Sequence, residues 1–171
     1  MSFCFVNLFA QHISFMGIQL GQSERIVDRM IRQKGFTFDG HIRYTDNMRY
    51  KGPFWKYEEV ILSTHVDNNK VTEIVLSPTL GTYETKFDFN NLVNNVDKKH
   101  GKHHPISNFF HYSDFAKYDG YYWRVAGGYI VTYYVKKPVG DELMIYLHYI
   151  DYTDKQILLE NGRKRNTNDD L

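Results

Sequence analysis

The sequence predicts an α+β fold: two tandem units, each a helix followed by antiparallel strands, forming one antiparallel sheet with the helices packed on one face. Three observations predict it. Two amphipathic helices end at glycines, Gly35 and Gly101, that lie 66 residues apart. After each come runs in which apolar and polar residues alternate, the mark of strands with one buried face. Of the 171 residues, 16% are aromatic, with 14 Tyr and 12 Phe against only 4 Pro, a bias towards sheet. This length suits one domain that buries a core without disulfides or metals. The domain is expected over residues 12–159, in halves 12–80 and 81–159, ahead of a polar tail over 160–171.

The first helix is the clearest element. Ser23 stands where a hydroxyl can cap the free N–H groups of a first turn. Ile26, Val27, Met30 and Ile31 share one face at helical spacing, and Arg25, Asp28, Arg29 and Arg32 take the other. Gly35 can supply the left-handed residue past the C-cap, with Phe36 folded back onto Ile31. A strand over 36–44 follows, with turn chemistry at Asp46-Asn47 and Gly52-Pro53. A hairpin is predicted from Val60–Val66 and Val71–Leu76 around Asp67-Asn68-Asn69.

The second helix is read over 84–100, with Phe89, Leu92, Val93 and Val96 on its apolar face and Lys98-Lys99-His100-Gly101 as its basic, glycine-stopped end. Strands are expected over 106–112, 121–126, 129–136 and 143–152. Gly127-Gly128 reads as a hairpin turn or bulge and not as a phosphate loop, because no Lys-Ser/Thr follows.

Ser2-Phe-Cys-Phe-Val-Asn-Leu-Phe-Ala-Gln11 is an apolar run without a basic start, and the first Lys or Arg is Arg25. It is read as residues 1–11 of a secretory signal whose start lies upstream, cleaved after Ala10; the alternative is a short strand or apolar peg. The signal reading predicts export, to periplasm or extracellular space. Cys4 is the only cysteine, so a single chain can form neither a disulfide nor a Cys-type zinc site. No stretch reaches the ~20 apolar residues of a spanning helix. The net charge of +1 gives no long-range field to collect polyanions, so neither nucleic acid nor a membrane surface is expected as a partner.

Few residues promise chemistry. His100, His103, His104 and His111 have spacings a metal could use, with Asp97 and Asp114 at the flanks. A helix terminus between Gly101 and Pro105 explains the same cluster without a metal, so no cofactor is expected. Glu58 and Glu59 are adjacent, hence on opposite faces of a strand and unable to act as a carboxylate pair. No Gly-x-Ser-x-Gly turn is present.

Alternation divides the late strands into faces. Tyr129, Val131, Tyr133 and Val135 oppose Ile130, Thr132 and Tyr134; Leu143, Ile145, Leu147 and Tyr149 oppose Met144, Tyr146, His148, Ile150 and Tyr152. With helices over the Leu143 face, the other is expected to show Tyr146, His148 and Tyr152 beside Tyr134 and Tyr122 or Trp123. Such an aromatic surface suits a protein partner or a glycan.

The element order, with Phe15-Met-Gly-Ile-Gln-Leu-Gly, the helix end Lys34-Gly-Phe and the second helix end His100-Gly-Lys-His-His-Pro, resembles a family of small secreted bacterial proteins. Ala126-Gly-Gly-Tyr-Ile, Ile145-Tyr-Leu-His-Tyr-Ile-Asp-Tyr-Thr-Asp-Lys and the Asp-Asp-Leu171 ending fit it too. That family's layout is similar to the β-lactamase-inhibitor-protein fold. The resemblance implies an architecture and no catalytic residues. The expected function is therefore an exported, non-catalytic protein-binding module, of inhibitor or envelope-adaptor type, that uses its aromatic sheet face on another envelope or extracellular protein. A carbohydrate-binding or metal-assisted hydrolytic protein is the alternative.

Overall fold

The alternating runs are realised as one antiparallel sheet of eight strands, seen in a computed structural model that describes residues 12–43, 45, 47–79, 83–109, 115, 117–138 and 140–152. The expected signal segment and C-terminal tail lie outside the described residues. The elements in chain order are β1 Ser14–Phe15, β2 Ile18–Gln19, α1 Glu24–Gln33, β3 Thr37–His41, β4 Met48–Phe54, β5 Tyr57–Asp67 and β6 Lys70–Pro78. Then come α2 Lys86–His100, β7 His104–Pro105, a 3-10 turn at Ile106–Asn108, β8 Asp119–Val125, β9 Gly128–Lys136 and β10 Leu143–Asp151. Strand order in the sheet is β3-β4-β5-β6-β10-β9-β8-β7, and β1 with β2 forms a separate small hairpin. The α+β class is as the sequence predicts.

Local chemistry accounts for the helix ends, with one correction. Ser23 has extended backbone geometry, but its hydroxyl makes no capping bond; the residue instead bridges to Lys70. At the other end Gly35 takes φ 90°, and the amides of Gly35 and Phe36 donate to the carbonyls of Arg32 and Ile31. This is the Schellman pattern, which needs a residue tolerant of φ > 0. Val27 and Ile31 are buried and Met30 is half-buried, whereas Ile26, expected on the same face, stands 45% exposed. In α2 the Thr85 hydroxyl accepts the Asp88 amide while the Asp88 carboxylate accepts the Thr85 amide, a complete capping box.

One turn expectation and one strand expectation need correcting. Gly52-Pro53 is not a turn but lies inside β4, at a bulge opposite β5. Gly52 is required by close approach: a Cβ there would sit 2.7 Å from the Phe36 ring. The turn falls at Trp55-Lys56, between the paired residues Phe54 and Tyr57. The predicted β5–β6 hairpin does form, closed by Asn68 and Asn69 at φ 50° and 61°, angles that two-residue hairpin loops favour and Asn tolerates. Residues 106–109 do not form the expected strand. They make the 3-10 turn and then send Phe109 into the protein.

Hydrophobic packing forms two clusters. The larger joins Val27 and Ile31 of α1, and Phe89, Leu92, Val93 and Val96 of α2, to Tyr50, Leu62, Leu76, Trp123, Ile130 and Leu147 of the sheet. Phe15 is fully buried in it, its ring 5.7 Å from Phe54 and 5.1 Å from Tyr149. The smaller cluster is built from Ile106, Phe109 and Phe115 over Tyr129, Val131, Tyr133, Ile150 and Tyr152. Because strand neighbours point to opposite faces, Ile130 in one cluster and Tyr129 and Val131 in the other mean that β9 is covered on both sides.

Replacing Gly52 by Ala is expected to force the new methyl into the Phe36 ring and cost about 1–3 kcal/mol. Urea unfolding checks this: the midpoint should fall with an unchanged denaturant slope.

Candidate functional site

The aromatic residues expected on one open face do not share one. Trp123 and Tyr134 lie in the larger cluster beneath α2, at 1% and 8% exposure, with Tyr134 edge-on to Phe89 at 4.9 Å. Tyr122, Tyr146, His148 and Tyr152 turn to the opposite face. There His148 and Tyr152 are buried and Tyr122 and Tyr146 half-buried. That face is covered by Phe109, Phe115 and Tyr118. Tyr118 stacks on Tyr133 at 4.5 Å, and Tyr133 stacks on Tyr146 at 5.0 Å. The correction has a simple cause. Of the strand expected over 106–112, residues 106–109 make a 3-10 turn, and Ile106 and Phe109, with Phe115 and Tyr118, pack over this face; a Tyr-rich strand suits a buried aromatic layer as well as an exposed one.

Within this layer His148 Nδ1 lies 2.6 Å from Glu73 Oε1, and the imidazole is wedged between the stacked Tyr133 ring and the edge-on Phe115 ring. Its Nε2 is buried without a hydrogen-bond partner. Burial, with smaller contributions from Tyr118 and Tyr146, pushes the Tyr133 phenol above its ordinary range, so it stays a neutral donor.

The histidine cluster resolves into separate roles. His103 Nδ1 bonds the Asp97 carboxylate at 3.0 Å, and its ring lies 4.1 Å from that of Tyr121. His104 pairs in β7 and packs its ring against Tyr122 at 5.2 Å. His100 sits in the last turn of α2, and burial, aided by Lys99, lowers its pKa. His111 lies outside the described residues. Among the described residues no group of three His, Cys, Asp or Glu side chains is placed to hold a metal ion.

Asp97 is the organiser of that corner. Its carboxylate accepts the Trp123 indole N–H at 2.8 Å and the His103 amide at 3.1 Å, besides the His103 ring. Burial works against its charge, but the bonds from Trp123 and His103 outweigh burial and hold the carboxyl below its usual range.

A second polar network borders an apolar pocket. Lys56, in the β4–β5 turn, bonds Asp88 and, at 3.2 Å, the buried Glu84. Burial and a hydrogen bond to Glu84 raise the Tyr57 phenol. Burial opposes the Lys56 charge, but the bonds to Asp88 and Glu84 win and raise its pKa. Lys56 and Thr85 together hold Asp88 well below the carboxylate range. Beside this network Phe54, Trp55, Tyr57, Val60, Leu76, Leu92 and Leu147 line a pocket of about 40 Å³. Trp55 is 45% exposed and held at φ 55°, in the first position of a two-residue hairpin loop. Gly is the usual occupant of a positive-φ loop position, and a bulky side chain there is strained. The sequence reading missed this site because it placed the turn at Gly52-Pro53. An aromatic triplet Trp55-Lys56-Tyr57 at a hairpin tip was the available signal.

Comparison with family models, curated proteins and solved structures finds no match to this chain.

The lowered carboxylates fix a pH dependence. Asp88 and Asp97 stabilise the fold above the ordinary value of 3.8, and that contribution is lost as pH falls through their lower folded-state values. The urea midpoint should therefore decline below about pH 4. Asp97→Ala should lower stability at pH 7 by about 1–3 kcal/mol, because the charged hydrogen bonds from Trp123 and His103 are lost together and the indole N–H keeps only the Gly101 carbonyl at 3.1 Å, and should flatten the acid decline. Urea titrations at pH 7 and pH 3 measure both effects.

Proposed function

We propose that the protein is a non-catalytic protein-binding module of inhibitor or adaptor type, which grips its partner at Trp55 and the apolar pocket beside it. The observation that carries the reading is Trp55 itself, a large aromatic held in left-handed backbone with nearly half its surface in solvent. Strain of this kind persists where the surroundings over-determine it and clusters at sites that clamp ligands. Trp is also the residue most enriched among binding hot spots, which sit in or over desolvated pockets. A free volume of about 40 Å³ is far short of the ~300 Å³ at which small-molecule sites begin, and suits one inserted side chain.

The reading replaces the aromatic sheet face as the contact surface, because that face carries its own cover. We read the architecture as two tandem helix-plus-strands units. Each helix precedes four strands, the closing strands β6 and β10 pair at the centre, and residues of both helices enter one cluster on what we take to be one face. This layout is what the resemblance to the inhibitor fold implies. Export, the compartment in which we place the module, rests on the apolar run over residues 2–10, and N-terminal sequencing of protein from the native culture medium or envelope tests it.

A second reading, carbohydrate binding, is favoured by a groove of about 310 Å³ whose walls include Tyr118, Tyr121, Tyr134, Asp119 and Lys86. It combines ring faces with polar groups, as sugar sites do. Glycan-array binding lost on Tyr121→Ala would favour it over the pocket.

Trp55→Gly separates binding from folding. Gly relieves the positive φ while the T-shaped contact with Tyr57 at 5.7 Å is lost, so stability should change by no more than about 1 kcal/mol. Cross-linking capture from envelope and medium should lose its partner with this variant. A partner still captured with undiminished yield would sink the reading.

A further inference from the structure

The rim of the Trp55 pocket carries chemistry that the partner has to match. Only two charged residues line the pocket, Glu59 and Glu84, and both are acidic. Glu84 is buried and shared with Lys56. Glu59 is exposed and has no side-chain partner among the described residues. Lys56, in the same hairpin turn region, is paired with Asp88 and Glu84. The pocket lining is otherwise mostly apolar, and its one exposed charge is the Glu59 carboxylate. Complementary charge placed at such a rim sets partner choice and the rate of encounter.

Resting on the pocket reading above, we propose that the partner is a protein segment that inserts one aliphatic or Met side chain into this pocket and sets a Lys or Arg beside it against Glu59. The volume of about 40 Å³ favours an unbranched or singly branched chain over a ring. An acidic neighbour on the segment would meet Glu59 as a like charge and be disfavoured. A second copy of this chain is the competing occupant, because Ile26 stands 45% exposed between Arg25 and Arg29 on α1.

Random peptides displayed on phage, selected against the full chain, are the probe. The selected peptide is then labelled and titrated by fluorescence anisotropy against the parent, Glu59→Lys and Trp55→Gly proteins, at low and high salt. Melting curves confirm that both variants are folded, and the exposed position of Glu59 makes its variant safe. The expected result is an aliphatic or Met residue next to Lys or Arg, and binding that weakens with salt. Affinity should fall about tenfold on reversing the rim charge, a larger effect than losing one exposed ion pair.

Selected peptides without a basic residue, or equal binding to Glu59→Lys while Trp55→Gly abolishes it, would overturn the partner chemistry and leave the pocket reading standing. Binding indifferent to Trp55 would overturn both. Concentration-dependent self-association by sedimentation, removed equally by Ile26→Glu and Glu59→Lys, would make a second copy the occupant and overturn the foreign segment.

Discussion

Strand β9 is buried along most of its length on both faces, and the packing on either side follows from that constraint. A strand in this position must present apolar or aromatic side chains at every residue, because a polar group on either side would be desolvated without a partner. Gly-Tyr-Ile-Val-Thr-Tyr-Tyr-Val meets the demand, and its single hydroxylated aliphatic residue, Thr132, spends its proton on the Tyr146 carbonyl at 2.8 Å. Tyr is the useful residue here. Its ring fills the layer while its hydroxyl finds an acceptor at the margin, as Tyr134 does at Asp119.

From that double burial the remaining parts take their places. One face of β9 receives α2, whose position is fixed at its ends by charged groups rather than by its apolar stripe alone. The N-terminal end is tied through Asp88 to Lys56 of the β4–β5 turn, and the C-terminal end through Asp97 to the Trp123 indole. The two carboxylates lie near opposite ends of α2 and connect it to opposite halves of the sheet. The other face receives Ile106, Phe109, Phe115 and Tyr118, and Phe115 closes over His148. The site at Trp55 therefore stands on a braced corner: the hairpin tip, the start of α2 and the end of β6 meet there, and a strained residue can be held because its surroundings are rigid.

Much of the fold was legible because period and punctuation agreed. The alternation in β9 and β10 divided each strand into its two faces correctly, and Gly35, Gly101 and the Asn68-Asn69 pair marked real chain reversals. What failed to be legible depends on contacts between distant residues. Gly52 reads as a turn residue in isolation, and only the Phe36 ring lying on it shows why a strand needs a glycine there. Phe109 and Phe115 carry a strand-like composition, yet a composition cannot say whether a segment joins the sheet or lies across it. The six residues expected on one open aromatic face divide between both sides of the sheet, Trp123 and Tyr134 beneath α2 and the other four on the side of the second cluster, for that reason. His103 and Asp97, six residues apart across a helix end, were grouped with a metal in view when their partner was Trp123, 26 positions from Asp97.

The contrast between the two aromatic regions decides where function is more plausibly sought on physical grounds. Tyr133, Tyr146 and His148 satisfy one another, and exposing them would forfeit stacking and burial that the fold already uses. Trp55 is different in kind. Its backbone is strained and its ring is only partly covered, by Tyr57 and the Lys56 ammonium. Marginally stable domains tolerate such a position poorly, since glycine would remove the strain at once. On the proposed reading, a residue whose conformation costs stability and whose surface is left in water has its reason in a contact outside the chain. The acidic Glu59 of the same pocket would then favour a contact that brings a positive charge.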